Sequence, residues 1–462
     1  MPLTKLQFKP GINREVTSYS NEGGWFDMDK VRFRMGFPEK IGGWLKNNEN
    51  NYLGTCRALH PWVALDGTQY VGVGTHLKYY LLEGGAFYDI TPIRATTSAG
   101  DVTFLTGADT LNGAITAEAE TIVLSSATGF PPTGRIKIDS EIITYAAISS
   151  ATLTGCARGQ SGTTAATHSD SATVGCTTVK VTDSNHGALD NDFVTYTDAA
   201  ALGGNITAAV LNQEYQIITI VDDNTYLIEA RSVQTMADIT TTNGLEPTLV
   251  FSTTSDSGTG GSSTVGAYQI NTGLDTTITG NGWNAGSWGR GTWNSAADLS
   301  IDGQTLRVWS HDNFGEDLVI NPRDESVYYW DKSNGTGSRA VVLGSLSNAQ
   351  SPPTSAKIVL VSDNDRHVIA FGCNPQGSTT QANDWAATAT NTAGDLTIGS
   401  GSEIIAAIET KQQVLVFTDV SLHAMQFLGP PFTFGISVVS ENITIASPLA
   451  AVNIEDTVYW MG

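Results

Sequence analysis

Residues 403–431 read EIIAAIETKQQVLVFTDVSLHAMQFLGPP. Three short apolar runs lie in this stretch, separated by polar turns and ended by Gly-Pro-Pro: 403–409, 413–418 and 421–428. Runs of this length with tight turns between them predict an up-and-down antiparallel meander, the unit from which a β-propeller blade is built.

Similar turn-and-strand patterns recur on both sides of this stretch, beginning at Asp66, Asp302, Asp363 and Glu455. Counted with the turn at 410, the later starts fall at about 302, 363, 410 and 455, in steps of 61, 47 and 45 residues. A period near 45 residues is typical of a propeller or another radial array. The gap from 66 to 302 is too long for one step, so it predicts an insertion.

The fold predicted is all-β, a β-propeller that is incomplete in this chain, with two small β-barrel or sandwich domains inserted after the first blade. The predicted domains are an N-terminal extended arm, a first propeller blade, inserted β-domain 1, inserted β-domain 2, a linker and the remaining propeller blades: 1–50, 51–94, 95–176, 177–252, 253–266 and 267–462.

Composition agrees with this reading. The 462 residues include 48 glycines and only 15% charged residues, a profile typical of turn-rich β proteins. The net charge is −22, yet residues 1–100 carry 11 Lys and Arg against 9 Asp and Glu, so residues 101–462 carry the whole deficit. An acidic surface binds DNA poorly, because affinity for phosphates comes from Lys and Arg.

No apolar stretch has the length of a membrane span or of a secretory signal.

The N-terminal arm is rich in aromatic and arginine side chains, which are favoured anchors at protein interfaces. We therefore predict a subunit interface formed by Trp25, Phe26, Arg32, Phe33, Arg34 and Trp44. The alternative is that the rings pack into the first blade's own core while Arg32 and Arg34 alternate out to solvent.

A glycine-rich stretch holds three tryptophans five residues apart: Trp283, Trp288 and Trp293. Rings on such a loop could stack on sugars or on a partner's side chains, so these residues are a candidate partner-binding loop. Equally, the rings could hold the loop onto its own protein, because tryptophan buries a large apolar area.

No catalytic constellation, cofactor site or metal site is predicted, and we do not expect an enzyme. Ser310, His311 and Asp312 are adjacent, but neighbouring strand positions face opposite sides of a sheet. Asp312 and the acids that follow it (Glu316, Asp317, Asp324 and Glu325) lack the spacing of a calcium-binding loop. The four cysteines show no metal-binding spacing, which favours free thiols in a reducing compartment.

Several motifs resemble the packaged-DNA stabilisation proteins that form the tail nozzle of short-tailed phages. They are Gly11-Ile12-Asn13-Arg14, Val31-Arg32-Phe33 with Gly36-x-Pro38-x-Lys40, Tyr88 to Pro92, Phe314 to Arg323 with Tyr328 to Asp331, and Leu415 to Asp419 through Gly429-Pro430-Pro431. The resemblance covers about residues 5–92 and 267–462. One departure is that members of that family continue beyond the strand at Tyr459-Trp460.

The resemblance implies a virion structural protein, made in the host cytoplasm, that forms a homohexameric ring below the portal and its adaptor protein. It implies a tail hub that holds fibre or spike proteins, retains packaged DNA, and conducts genomic DNA during ejection without binding it specifically. An acidic channel wall would suit that role, since DNA would not adhere to it. The competing hypothesis is a receptor-binding tail adhesin that recognises surface glycans through the inserted domains and the tryptophan loop.

Overall fold

The structure is a computed structural model that describes residues 9–15, 17, 19–43, 45–46, 49–232, 248–274, 306–347, 349, 352–362, 366–373, 392–429 and 432–462. The chain divides into two compact units, Met1–Glu49 and Asn50–Gly462. Nearly all the regular structure in the described residues is β-strand, which confirms the predicted all-β class. The α-helix found there, α1 (Ala208–Leu211), is a single turn, and no helix in these ranges is long and apolar enough to cross a membrane.

The first unit contains a β-hairpin formed by β1 (Val31–Arg34) and β2 (Phe37–Lys40). Met35 and Gly36 join the strands with φ values of +49° and +85°. Positive φ at both central residues is the type I′ geometry, which matches the twist of the flanking strands. The predicted extended arm therefore contains a chain reversal.

Blade 1 is a four-stranded antiparallel meander of β3 (Cys56–Val63), β4 (Gln69–Thr75), β5 (Tyr79–Glu83) and β6 (Ala86–Asp89). Gly74 lies inside β4, where the side chain of Trp309 from the next blade approaches the backbone. A Cβ at this position would come within 2.5 Å of the tryptophan ring, and the ring nitrogen donates to the Thr75 carbonyl at 2.7 Å. The glycine is therefore needed for close packing between blades.

The insertion contains fourteen described strands: β7 (Ile93–Thr96), β8 (Thr103–Thr110), β9 (Thr121–Val123), β10 (Gly134–Ile138), β11 (Glu141–Tyr145), β12 (Ala147–Ser149), β13 (Thr152–Thr154), β14 (Ala157–Gln160), β15 (Thr173–Thr182), β16 (Phe193–Thr197), β17 (Glu214–Gln216), β18 (Thr219–Asp222), β19 (Thr225–Glu229) and β20 (Val265–Gln269). They form three sheets, with the orders β14-β11-β10-β15-β19-β18, β12-β13-β9 and β17-β16-β20-β7. β8 joins the first of these sheets by pairing with β15.

The insertion has two hydrophobic cores, and the ten-residue strand β15 contributes to both. Val174 and Cys176 belong to one core, whereas Val179 and Val181 belong to the other. The pairing of β15 with β8 shifts register between Gly175 and Val179, where the strand passes between the cores. The predicted division after residue 176 thus falls inside a strand that both halves share.

The structure differs from the predicted linker at the end of the insertion. Within 253–266, Asp256 is buried, and its carboxylate accepts three backbone N–H groups of residues 204–206 at 2.8 to 3.0 Å. β20, predicted to re-enter the propeller, pairs instead with β16 and β7 of the insertion. A Ser/Gly-rich composition suits both flexible linkers and capped turns, so it could not distinguish the two.

The blades resume after the insertion. Blade 2 consists of β21 (Trp309–Phe314), β22 (Asp317–Pro322), β23 (Tyr328–Trp330) and β24 (Val341–Val342), with 3-10 turns at Lys332–Asn334 and Leu343–Ser345. Blade 3 has β25 (Ile358–Val361) and β26 (Val368–Phe371), blade 4 has β27 (Ile404–Glu409), β28 (Val414–Thr418), β29 (Ser421–Phe427) and β30 (Phe434–Glu441), and blade 5 has β31 (Ala451–Ile454) and β32 (Thr457–Trp460).

The first strands of successive blades lie side by side. β3 contacts β21, β21 contacts β25, β25 contacts β27 and β27 contacts β31. Each joint has its own apolar core, exemplified by Trp309 between blades 1 and 2, Val359 between blades 2 and 3, and Phe371 between blades 3 and 4. This serial packing of equivalent strands is the arrangement of propeller blades.

Candidate functional site

The predicted interface residues of the N-terminal unit lie around its hairpin. Trp25 is half-buried, and its carbonyl accepts the Asn13 N–H at 2.9 Å and the Asn21 side-chain amide at 3.2 Å. Phe26 is exposed. The backbone at this tryptophan is therefore fixed by the unit's own residues while the next ring faces solvent.

The side chains of β1 alternate as a strand requires. Val31 and Phe33 are half-buried, whereas Arg32 and Arg34 are exposed. Arg32 Nε lies 3.2 Å from Glu39 on β2. Trp44, the last residue predicted for this interface, lies outside the described residues.

The hairpin also exposes apolar side chains that sequence reasoning did not select. Met35 in the turn is 90% exposed, and Phe37 at the start of β2 is 75% exposed. The signal that could have identified them is the aromatic residue next to the Met-Gly turn. An apolar pair at the tip of a hairpin, next to exposed arginines, has the composition of an interface anchor.

The candidate partner-binding loop, with Trp283, Trp288 and Trp293, lies outside the described residues. Its role stays a prediction.

A buried charge cluster lies where blade 1, the insertion and blade 2 meet. Lys78 is fully buried, and its Nζ lies 2.7 Å from Asp89 and 2.6 Å from Glu214 of the insertion. Arg339, which precedes β24, approaches the same two carboxylates at 3.3 and 3.5 Å. The ammonium also lies 4.3 Å from the centre of the Phe193 ring.

The electrostatics of this cluster follow from its geometry. Burial alone would raise the pKa of Asp89, but the Lys78 ammonium and the Arg339 guanidinium outweigh it and lower the pKa to about 2. The Asp89 carboxylate therefore stays charged at neutral pH, where it pairs with both cations. Because Glu214 belongs to the insertion and the cations to the blades, the cluster joins the insertion to both blades.

Ion pairs also bridge the blade joints. Lys332 lies 2.9 Å from Asp66 of blade 1 and 2.8 Å from Glu316 within blade 2. Glu403 before β27 pairs with Lys357 and, at 3.3 Å, with Arg323. Lys411 lies 3.0 Å from Asp456 at the joint of blades 4 and 5. These contacts fix neighbouring blades where their turns meet.

The adjacent Ser310, His311 and Asp312 point to opposite sides of β21, as strand alternation predicts. Ser310 Oγ accepts the Val359 N–H at 2.9 Å and Asp312 accepts the Val361 N–H at 2.8 Å, both from blade 3. His311 instead lies 2.8 Å from the Tyr79 hydroxyl of blade 1. These polar side chains hold blade 2 between its neighbours.

Burial shifts the titration of this histidine. It lowers the pKa of His311 to about 3, helped by the neighbouring His60 ring, whose centre lies 4.8 Å away. His311 is therefore neutral at pH 7, and charging it would place a cation inside the joint between blades 1 and 2.

The acids weighed as calcium ligands have other partners. Glu316 pairs with Lys332, Glu325 pairs with Arg307 at 2.7 Å, and Asp317 accepts the Tyr329 hydroxyl. In the part of the chain that the structure describes, no three His, Cys, Asp or Glu side chains are placed to hold a metal ion. All four cysteines are free thiols, and Cys156 and Cys176 are buried.

Sequence reasoning missed the Lys78 cluster. The available signal was a lysine next to the apolar run Tyr79 to Leu82, a position that solvated lysines seldom occupy. Its partner Glu214 lies 136 residues away, and no local pattern could have paired the two.

Comparisons with known proteins add little. No protein-family model matches the chain, and no curated protein is similar to it. Among solved structures, a phage phi92 endosialidase matches with 10% sequence identity and a TM-score of 0.15. The match covers 86% of this chain and 56% of the endosialidase chain, so this chain spans little more than half the length of the endosialidase. A TM-score of this size supports no conclusion about shared fold or activity.

Proposed function

We propose that this chain is a virion structural protein of a phage tail, which forms a ring-shaped nozzle or hub below the portal and its adaptor. In this role it retains packaged DNA, conducts it during ejection, and holds tail fibres or spikes. Six copies form the ring. The proposal rests on the family resemblance of the blade and arm motifs.

The structural observation that supports the proposal is the N-terminal hairpin. A separate unit exposes Phe26, Met35 and Phe37 next to Arg32 and Arg34. Exposed rings and guanidinium groups on a small unit are suited to docking on another subunit. A ring needs contacts that repeat head to tail and close, and an exchanged arm supplies such a contact.

Charge supports the conduit role. The whole chain has a net charge of −22, while residues 1–100 are slightly basic at +2. The remaining residues therefore present an acidic protein to DNA, and counterion release cannot drive phosphate binding to it. DNA could then slide past without being held.

The test combines mass and DNA binding. Native mass spectrometry of the intact chain is expected to show a hexamer, and an electrophoretic mobility assay at physiological salt is expected to show no binding of linear duplex DNA. A trimer would favour a fibre or spike, and tight duplex binding would contradict a non-adhesive conduit.

A further inference from the structure

A cleft of about 400 Å³ opens in the insertion, on the opposite face of the β10–β15 sheet from its hydrophobic core. Its polar lining includes Lys137, Asp139, Thr173 and Asn205, and the Phe251 ring supplies an apolar wall. Sites for small molecules commonly have 300 to 1,000 Å³ of space, a mostly apolar wall and a few placed polar groups. The cleft has a suitable size for one or two sugar rings.

The floor of the cleft follows from strand alternation. Ile136 and Ile138 of β10 point into the core, so Lys137 between them points outward. Lys137 pairs directly with Gly175 of β15. Gly175 adds no side chain to the floor, and a Cβ there would come within 1.8 Å of the Ser252 carbonyl oxygen.

The wall of the cleft is hydrogen-bonded to the sheet behind it. Ser252 is buried, its Oγ accepts the Cys176 N–H at 3.0 Å, and the same hydroxyl lies 2.6 Å from the Gly107 carbonyl, to which it donates. This fixes Phe251, the preceding residue, against the sheet. A preformed wall lowers the entropic cost of binding.

The polar groups of the cleft can still form hydrogen bonds to a ligand. One oxygen of Asp139 lies 2.8 Å from His168 Nδ1, yet the side chain is 66% exposed. Asn205 donates its amide to the Phe251 carbonyl at 2.9 Å, which leaves its side-chain oxygen to accept. The Lys137 ammonium lies 5.8 Å from the centre of the Phe251 ring.

We propose that this cleft binds a saccharide. A carboxylate needs donors, an ammonium needs acceptors, and sugar hydroxyls supply both on one molecule. The apolar C–H face of a sugar can pack on the exposed part of the phenylalanine ring. A phosphate ligand would meet Asp139 and an acidic protein, and an apolar ligand would leave the charged groups desolvated without partners.

The saccharide site does not depend on the nozzle proposal. A ring subunit can carry a glycan-binding insertion, and a monomeric adhesin could carry the same cleft. Oligomeric state therefore tests one proposal and saccharide binding tests the other.

The test uses the intact protein and saturation-transfer difference NMR at millimolar concentrations of glucose, galactose, N-acetylglucosamine, rhamnose and N-acetylneuraminic acid. At least one sugar is expected to bind. Thr173→Trp should abolish the signal, because residue 173 is exposed on the cleft floor and the larger ring fills the space. Lys137→Ala and Asp139→Ala should each weaken binding about tenfold, as expected for loss of a hydrogen bond to a charged group.

Lys180→Ala is the matched control, because it removes a lysine of the same sheet that does not line the cleft. It should leave binding unchanged. The proposal is overturned if none of the five sugars binds, or if Thr173→Trp, folded by circular dichroism, binds as tightly as the unchanged protein.

Discussion

The insertion buries polar side chains that are hydrogen-bonded to one another, whereas the N-terminal unit exposes apolar side chains. The insertion buries three tyrosines in one hydrogen-bonded chain: the Tyr196 and Tyr226 hydroxyls lie 2.6 Å apart, and Tyr268 links Tyr226 to Asp183. The N-terminal unit leaves Met35 and Phe37 in solvent. The insertion therefore completes its own core, whereas the N-terminal unit presents apolar surface that a partner can cover.

The largest effect is expected at the charge cluster that joins the insertion to the blades. Lys78→Ala removes a cation that contacts two carboxylates, Asp89 and Glu214, and leaves them without it in a buried site. Breaking such a pair costs about 3 to 5 kcal/mol of unfolding free energy. Urea unfolding followed by tryptophan fluorescence measures it.

Lys411→Ala is the matched control, since the Lys411 side chain is 76% exposed although it also forms an ion pair. Its cost should stay below about 1 kcal/mol. Equal effects of the two substitutions would show that the cluster does not secure the insertion.

Much of the blade architecture could be predicted from sequence, because each blade is local. The strands predicted at 403–409, 413–418 and 421–428 correspond within about a residue to β27, β28 and β29. The fourth strand, β30 (Phe434–Glu441), was not predicted, since it follows Gly-Pro-Pro and mixes polar with apolar residues. Adjacent strands joined by short turns leave a readable pattern.

The joints between elements could not be predicted. Asp256 resembles a residue of a polar linker, yet its carboxylate caps a turn 50 residues earlier in the chain. Lys78 meets a carboxylate 136 residues away. Such contacts depend on how domains pack, and neither composition nor periodicity carries that information. The saccharide cleft belongs to the same class, because it combines β10, β15 and the segment at 249–253.

The second-largest effect on stability is expected in the core of the insertion. Tyr268→Phe removes the hydroxyl that donates to Asp183 at 2.5 Å, and Asp183 is itself buried. Leaving this carboxylate without its donor should cost about 1 to 3 kcal/mol. Thermal or urea unfolding detects the loss, and an unchanged midpoint would mean that water replaces the tyrosine.

The third effect concerns pH. The folded pKa of His311 is about 3 and the usual histidine value is about 6.5, so the unfolded chain binds more protons between these values. The contribution of neutral His311 to the free energy of unfolding is complete above pH 6.5 and falls as the pH drops toward 3. Between pH 7 and 5 we expect a loss of about 1 to 2 kcal/mol.

His311→Gln should flatten that part of the pH profile. The buried Asp89 and Glu141, whose pKa values are lowered to about 2, lose their contribution only at more acidic pH. The N-terminal unit contains no histidine, so it should not contribute to this window. If the unchanged protein and His311→Gln show the same dependence of stability on pH from 7 to 5, other groups cause that dependence.

The smallest effect on stability, and the most specific, is expected at the hairpin tip. Phe37→Ser alters a side chain that is 75% exposed, so the unfolding free energy should change by less than about 0.5 kcal/mol. If the tip anchors a neighbouring subunit, the same substitution should shift the assembly toward monomer in analytical ultracentrifugation. Unchanged assembly would remove the hairpin tip from the interface.

Electron cryo-microscopy of the assembled protein shows directly whether its chains form a ring around a passage. We expect six 48.9 kDa chains around an open passage, with each N-terminal hairpin on a neighbouring subunit and carboxylates facing the passage. A monomer or trimer, or a ring whose passage is lined by lysine and arginine, would contradict it.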